Sequence, residues 1–203
     1  MKNAPIKKSD SKQKSAPTIT VRKVIGSKEE LSDGMRAFEE VVYEIKEENG
    51  AVEKKEISRA CGFMNEAGEQ IIPPIYDVVW NFKGGLAKVC RKGKWGLIDK
   101  CGKEVVPIEY KTLYEASDGM LQVQLKGQWG CLKKDGTTVV KPRYDYIFPF
   151  RFGFATVKKN GKYGFVNLAD EEVVAPCFDE AGLISAGGIV KVRDGSQWKE
   201  FVL

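Results

Sequence analysis

The sequence predicts an all-β protein, a tandem array of short antiparallel strands. Three observations carry that prediction: a 34-residue period that runs without gaps, glycine-centred turns at fixed places in each period, and turn spacings too short for a crossover helix. Stacked at this period, GLAKVCRKGKWGLIDKCGKEVVPIEY from Gly85 aligns with GMLQVQLKGQWGCLKKDGTTVVKPRY from Gly119 and GFATVKKNGKYGFVNLADEEVVAPCF from Gly153. One glycine column holds Gly93, Gly127 and Gly161, and another holds Gly62, Gly96, Gly130 and Gly164. An aromatic column holds Tyr76, Tyr110, Tyr144 and Phe178, followed by Asp77, Asp145 and Asp179 but by Lys111 in the second unit of the column.

Residues 1–17 carry Lys2, Lys7, Lys8, Lys12 and Lys14 against Asp10 alone and are poor in apolar side chains, which predicts a disordered basic tail. No apolar stretch follows the first lysines, so no secretory signal is expected. Residues 18–61 read as a degenerate first unit, since LSDGM ending at Met35 echoes ASDGM ending at Met120. From Gly34 to Gly85 is one period plus 17 residues, and Asn49-Gly50 marks a hairpin turn inside the excess. A helix over 27–49 is the alternative, because Leu31, Met35, Phe38, Val42 and Ile45 fall near helical spacing behind a Ser27-x-x-Glu30 capping box.

Residues 62–203 form the array, with units opening near Gly85, Gly119, Gly153 and Gly187. Within a unit, 86–91 and 94–99 form a hairpin around Lys92-Gly93, where glycine allows a positive φ. A third run, 104–106, is expected to end at Pro107, which has no N–H for a ladder, giving about three strands per unit. The final GGIVKVRDGSQWKEFVL repeats the first half of a unit, and Lys191, Arg193 and Lys199 are expected to guard its open edge. An open, twisted array is favoured over a closed propeller-like ring, because 34 residues is short for a four-stranded blade.

Strand alternation places Trp95 with Leu97, Trp129 with Cys131, and Tyr163 with Phe165 on one face, and Gly96, Gly130 and Gly164 on the other. Glycine inside a strand packs nothing, so its recurrence predicts close approach by a neighbouring backbone or ring. The aromatics read as core between units, with an exposed ladder as the alternative.

Composition excludes several chemistries. The chain has no histidine, which removes the Ser-His-Asp, Cys-His and HExxH systems. Cys61, Cys90, Cys101, Cys131 and Cys177 form no CxxC pair and read as ordinary thiols of a reducing cytoplasm. Gly93-Lys94 and Gly161-Lys162 lack the remaining residues of a phosphate-binding loop. No apolar run approaches the roughly 18 residues of a membrane span. Asp99, Asp135 and Asp170 fall in or beside turns, where local backbone bonding explains them. No catalytic residue, cofactor or metal site is expected.

The units resemble the WG repeat family, also called KWG repeats, through Gly85-Leu86-Ala87, Gly93-Lys94-Trp95-Gly96-Leu97-Ile98-Asp99, Gly102 and the Pro74 to Asp77 segment. The repeat-defining positions are Gly85, Gly93, Trp95, Gly96 and Tyr110, then Gly119, Gly127, Trp129, Gly130 and Tyr144, then Gly153, Gly161, Tyr163, Gly164 and Phe178. Tyr163 departs from the pattern by replacing Trp, as does Lys111 by replacing Asp. The resemblance implies an all-β array, widespread in bacterial proteins, with a role in interactions and no common enzymatic activity.

Two functions follow as expectations. The first is a non-catalytic scaffold for an unidentified protein partner, with the insertion around Asn49-Gly50 as a contact candidate and a solvated charged hairpin as its plainer reading. The second is binding of RNA or DNA through lysines at turn tips, among them Lys92, Lys94, Lys126, Lys134 and Lys159. The net charge of +5 mostly belongs to the tail, since residues 18–203 hold 28 basic against 27 acidic side chains. Oligomeric state is left open.

Overall fold

A computed structural model describes residues 18–26, 31–48 and 51–203. The expected tail at 1–17 and the Asn49-Gly50 turn lie outside the described residues. The described chain forms five antiparallel sheets in chain order. The first contains β1 (Thr18–Gly26), β2 (Met35–Glu48), β3 (Ala51–Asn65) and β4 (Gln70–Tyr76). The second contains β5 (Val78–Val79), β6 (Leu86–Arg91), β7 (Lys94–Asp99) and β8 (Glu104–Tyr110). The third contains β9 (Thr112–Glu115), β10 (Leu121–Leu125), β11 (Gln128–Leu132) and β12 (Thr138–Tyr144). The fourth contains β13 (Tyr146–Ile147), β14 (Phe154–Lys159), β15 (Lys162–Asn167) and β16 (Glu172–Phe178). The fifth has only β17 (Glu180–Ala181), β18 (Ile189–Asp194) and β19 (Gln197–Val202).

The three middle sheets thus have four strands each where about three per unit were expected. The residues just after the aromatic column supply the fourth, as short strands pairing with the next unit's hairpin: Thr112 to Glu115 along Gln124 to Leu121, and Tyr146-Ile147 along Lys158-Val157. Each sequence unit opening at its glycine therefore gives its last strand to the following sheet, which ties neighbours together through the backbone. Pro107 does not end its strand. β8 continues to Tyr110 through a bulge, because Trp95 pairs with Tyr110 while Leu97 pairs with Val106, and an irregular stretch tolerates a residue without an N–H.

That bulge explains the glycine column. A Cβ on Gly130 would lie 2.5 Å from the Val140 carbonyl oxygen and 2.7 Å from the Pro142 nitrogen. At Gly62, Gly96 and Gly164 the corresponding carbonyl, of Ile72, Val106 or Val174, would be 2.4–2.6 Å away. The strand beside each glycine swells toward it, and only a residue without a side chain leaves room.

The run 35–48 is strand, not the helix its apolar spacing allowed. It pairs along β3 from Met35 with Asn65 to Glu48 with Ala51, and β1 lies on its other edge. Beyond the sheet base this makes a long ribbon, with Val52 and Ile57 exposed.

Alternating strand faces form four core clusters, one between each pair of neighbouring sheets. Phe63, Ile72 and Tyr76 meet Phe82, Val89 and Ile98 between the first and second. Leu97, Val106 and Tyr110 meet Leu113, Leu121 and Val123 between the second and third. Tyr144 and Val140 meet Ile147, Ala155 and Val157 at the next junction, and Phe165 meets Ile184, Val190 and Val192 at the last. Among the described residues no core cluster joins the first sheet to the fifth. The array is open, as the favoured reading had it, and the closed ring is not formed.

The last sheet ends on β19, which carries Lys199. Lys191 and Arg193 sit instead on β18, the middle strand, so they do not guard that edge as expected. Arg193 pairs with Glu180 of β17, and Lys199 with Asp194 at 3.1 Å.

Candidate functional site

Two ends of the sheets present different chemistry. At one end lie the hairpin tips, Lys92-Gly93, Lys126-Gly127 and Asn160-Gly161, in which both residues have positive φ, from 51° to 85°. Paired positive φ values are those of a type I′ turn, which matches strand twist. The acidic column sits at this end and serves the tips: Asp145 accepts the Asn160 N–H at 2.6 Å, and Asp179 accepts the Gly195 N–H at 2.7 Å and the Lys162 ammonium at 2.6 Å. The hydrogen bond from Lys162, then that from the Gly195 N–H, and the nearby Arg193 charge hold the Asp179 carboxyl below its ordinary pKa.

The lysines singled out in the sequence divide accordingly. Lys92, Lys94 and Lys126 are exposed at the hairpin tips, and Lys159 stands beside them with its ammonium 5.9 Å from the Tyr144 ring centre. Lys134 is elsewhere. With Lys133 it belongs to the turn between β11 and β12 at the opposite end, where it pairs with Glu115 at 2.7 Å. The five lysines therefore do not form one stripe.

The turns at that opposite end are closed by Asp and Asn side chains. Asp99 accepts the N–H groups of Cys101 and Lys103, both at 2.9 Å, and Asp135 that of Thr137 at 2.8 Å, which holds the Asp135 carboxyl below its usual pKa. Asp170 differs: it receives the Arg143 guanidinium and links the third sheet to the fourth. All five cysteines are free, Cys61, Cys90 and Cys131 buried and the other two exposed.

The aromatic column is core, with Tyr76, Tyr110 and Tyr144 buried. Burial and a 2.7 Å hydrogen bond to Glu172 push the Tyr144 hydroxyl pKa up. The Trp-Gly column behaves differently. Trp95, Trp129 and Tyr163 are only half-buried, and the first two pack against the core clusters at their junctions. Around Trp129 the rings make a continuous chain: Tyr114 to Trp129 at 5.8 Å between centres, Trp129 to Tyr146 at 5.5 Å, Tyr146 to Phe148 at 4.9 Å and Phe148 to Tyr163 at 6.4 Å. The aromatic column is thus core, as the first reading had it, whereas the Trp-Gly column lies between core and surface, and its rings are not the fully exposed ladder of the alternative.

Trp80, Tyr114 and Phe148 recur at the repeat period on the segment entering each hairpin, and Lys88, Gln122 and Thr156 recur on the hairpin's first strand. At the third sheet Gln122 is buried and donates to the Ile147 carbonyl across the junction at 2.9 Å. At the second sheet Lys88 takes that place, 4.3 Å from the Trp95 ring centre and 5.0 Å from that of Trp80. Desolvation lowers its pKa from the ordinary lysine value. A cleft of about 400 Å³ opens there between the second and third sheets, with Trp80, Leu86, Leu97, Leu113 and Tyr114 in its walls. A second cleft of about 550 Å³ lies where Phe148, Pro149 and Thr156 approach Gly182 to Ile184.

A profile of the WG containing repeat matches residues 62–95, 95–129, 129–163 and 163–198. The chain belongs to the WG repeat family. The WG repeats meet at Trp95, Trp129 and Tyr163, so each matched repeat runs from one hairpin into the next and spans two sheets. No curated protein matches the chain. The crystal structure of hemopexin fold protein CP4 from cow pea aligns over 70% of this chain and 83% of its own at 11% identity, with a TM-score of 0.22, too low to equate the folds. Among the described residues no helix is long and apolar enough to cross a membrane.

The sequence missed Trp80 and Lys88 as site residues. Trp80 had a signal, since an indole stood in register with Tyr114 and Phe148, but its exposure depends on how far the neighbouring sheets splay.

Proposed function

We propose that this WG repeat chain is a non-catalytic scaffold that binds another protein along the half-buried aromatic chain and the clefts beside it. The supporting observation is the exposure of Trp80 at 59%, in one cleft with Tyr114, from which the half-buried rings run on through Trp129 and Tyr146 to Tyr163. Large rings of this kind, rigid and amphipathic, are the side chains that dominate protein interfaces. The singled-out turn carboxylates are occupied in holding their own turns or linking sheets, which leaves them no evident catalytic duty. Free thiols fit a reducing compartment. The test is quantitative affinity purification from the native host with the wild-type chain and with Trp129→Ala. A partner retained by the first and lost from the second supports the reading; equal recovery by both removes the aromatic chain from it.

The nucleic-acid reading rests on Lys92, Lys94 and Lys126, exposed at two neighbouring hairpin tips and without ion pairs among the described residues, Lys111 replacing the column Asp at the Lys126 tip. A mobility-shift titration against salt decides it, because phosphate binding weakens steeply as salt rises.

A further inference from the structure

The cleft between the second and third sheets has a cation built into an apolar wall. The repeat itself shows what is unusual: at the next junction Gln122 closes the equivalent position with a hydrogen bond to Ile147. Lys88 has no such acceptor among the described residues, and its ammonium lies over the rings of Trp80 and Trp95. A ring face attracts the ammonium but gives its N–H groups no lone pair in line, so the cation stays available to an anion. Lys83 adds a second positive charge to the cleft, and Lys134 is balanced there by Glu115. The remaining lining is Leu86, Leu97, Leu113 and Leu121 with Asn81 and Tyr114, and Trp80 is exposed.

We propose that this cleft docks an acidic, hydrophobic segment of a partner protein, with a carboxylate received by Lys88 and a neighbouring large apolar side chain held between Trp80 and the leucines. This rests on the protein-scaffold reading and specifies its site and its partner's chemistry. The volume suits one large side chain with its neighbour. A peptide fits better than a nucleic-acid strand because four leucines line the cleft beside Trp80 and Tyr114, an aliphatic surface suited to a branched or aromatic side chain and not a continuous set of ring faces on which successive bases stack.

The experiment uses the full chain as bait for a phage-displayed library of random nine-residue peptides, followed by anisotropy titrations of the enriched peptides. The expected result is enrichment of Asp or Glu next to Phe, Trp or Leu, with affinity falling about tenfold or more in Lys88→Gln and again in Trp80→Ala. Lys88→Gln is a fair variant because Gln122 already occupies the equivalent position, and unchanged thermal unfolding checks that it folds. Enriched peptides without an acid, or binding that survives both substitutions, overturn the cleft assignment while leaving the scaffold reading in place. So does a selection yielding no consensus, if Trp129→Ala still abolishes recovery of a native partner. A single-stranded RNA 12-mer that binds in a manner dependent on Lys88 and Trp80, and competes with the peptides, also overturns it by assigning the cleft to nucleic acid.

Discussion

Gly130→Ala isolates the steric reason for the glycine column. An ideal Cβ there would lie 2.5 Å from the Val140 oxygen, 2.7 Å from the Pro142 nitrogen and 2.9 Å from the Pro142 Cα. Ordinary contact begins near 3.4 Å, so the carbonyl would have to retreat by about 0.9 Å. All three atoms are backbone of β12, anchored by the fully buried Tyr144 and its pairing with Trp129, so the strand gives way only by loosening the junction. Overpacking of this kind costs about 1–3 kcal/mol or more, against which alanine's smaller unfolded-state entropy returns about 0.4–1 kcal/mol. The net expectation is a loss of about 1–2 kcal/mol or more. Gly127→Ala is the control: its φ is 85° but a Cβ there meets nothing within 4 Å, so only the left-handed conformation is penalised, by about 1–2 kcal/mol before the same entropy return and by about 1 kcal/mol or less after it. Urea unfolding followed by far-UV circular dichroism and by tryptophan fluorescence measures both, and coincidence of the two probes checks that the array unfolds as a unit. If Gly130→Ala costs less than Gly127→Ala, close backbone approach is not why glycine stands in the column.

Tyr144→Phe removes the 2.7 Å bond to Glu172 between the third and fourth sheets and should cost about 1–2 kcal/mol in the same assay. The Cys131 thiol is pushed up to about 12 from an ordinary 9.0, first by burial and then by the Asp118 charge. Its unfolded form ionises first, so stability present below pH 9 should fall as pH rises toward 12, and Cys131→Ala should flatten that fall in a series of urea midpoints. Asp145→Ala removes the acceptor of the Asn160 N–H and should speed amide exchange at the 160–161 tip while leaving the Lys126-Gly127 tip unchanged.

The period makes most of the architecture legible in the sequence. Glycine and aromatic columns at 34-residue steps reported turns, faces and the close approach at Gly62, Gly96, Gly130 and Gly164, because each follows from local backbone constraints repeated in register. What escaped was long-range. Pro107 read as a strand end because a missing N–H is visible in sequence, whereas the bulge that accommodates it depends on the partner strand. Thr112 to Glu115 carries no mark saying that it joins the next unit's sheet. Lys134 looked like Lys126 since both are turn lysines, and only strand order places them at opposite ends. Lys88 was silent for a related reason: its unusual state arises from two indoles brought over it by folding.

The four tryptophans provide the most direct test of where a partner docks, since each indole N–H gives its own signal in a nitrogen–proton correlation spectrum. Titrating the highest-affinity acidic, hydrophobic peptide into the labelled full chain should shift the Trp80 and Trp95 indole signals, assigned by substitution, and leave Trp198 in place. Shifts confined to Trp129 or Trp198, with Trp80 and Trp95 unmoved at saturation, would contradict docking in the cleft between the second and third sheets.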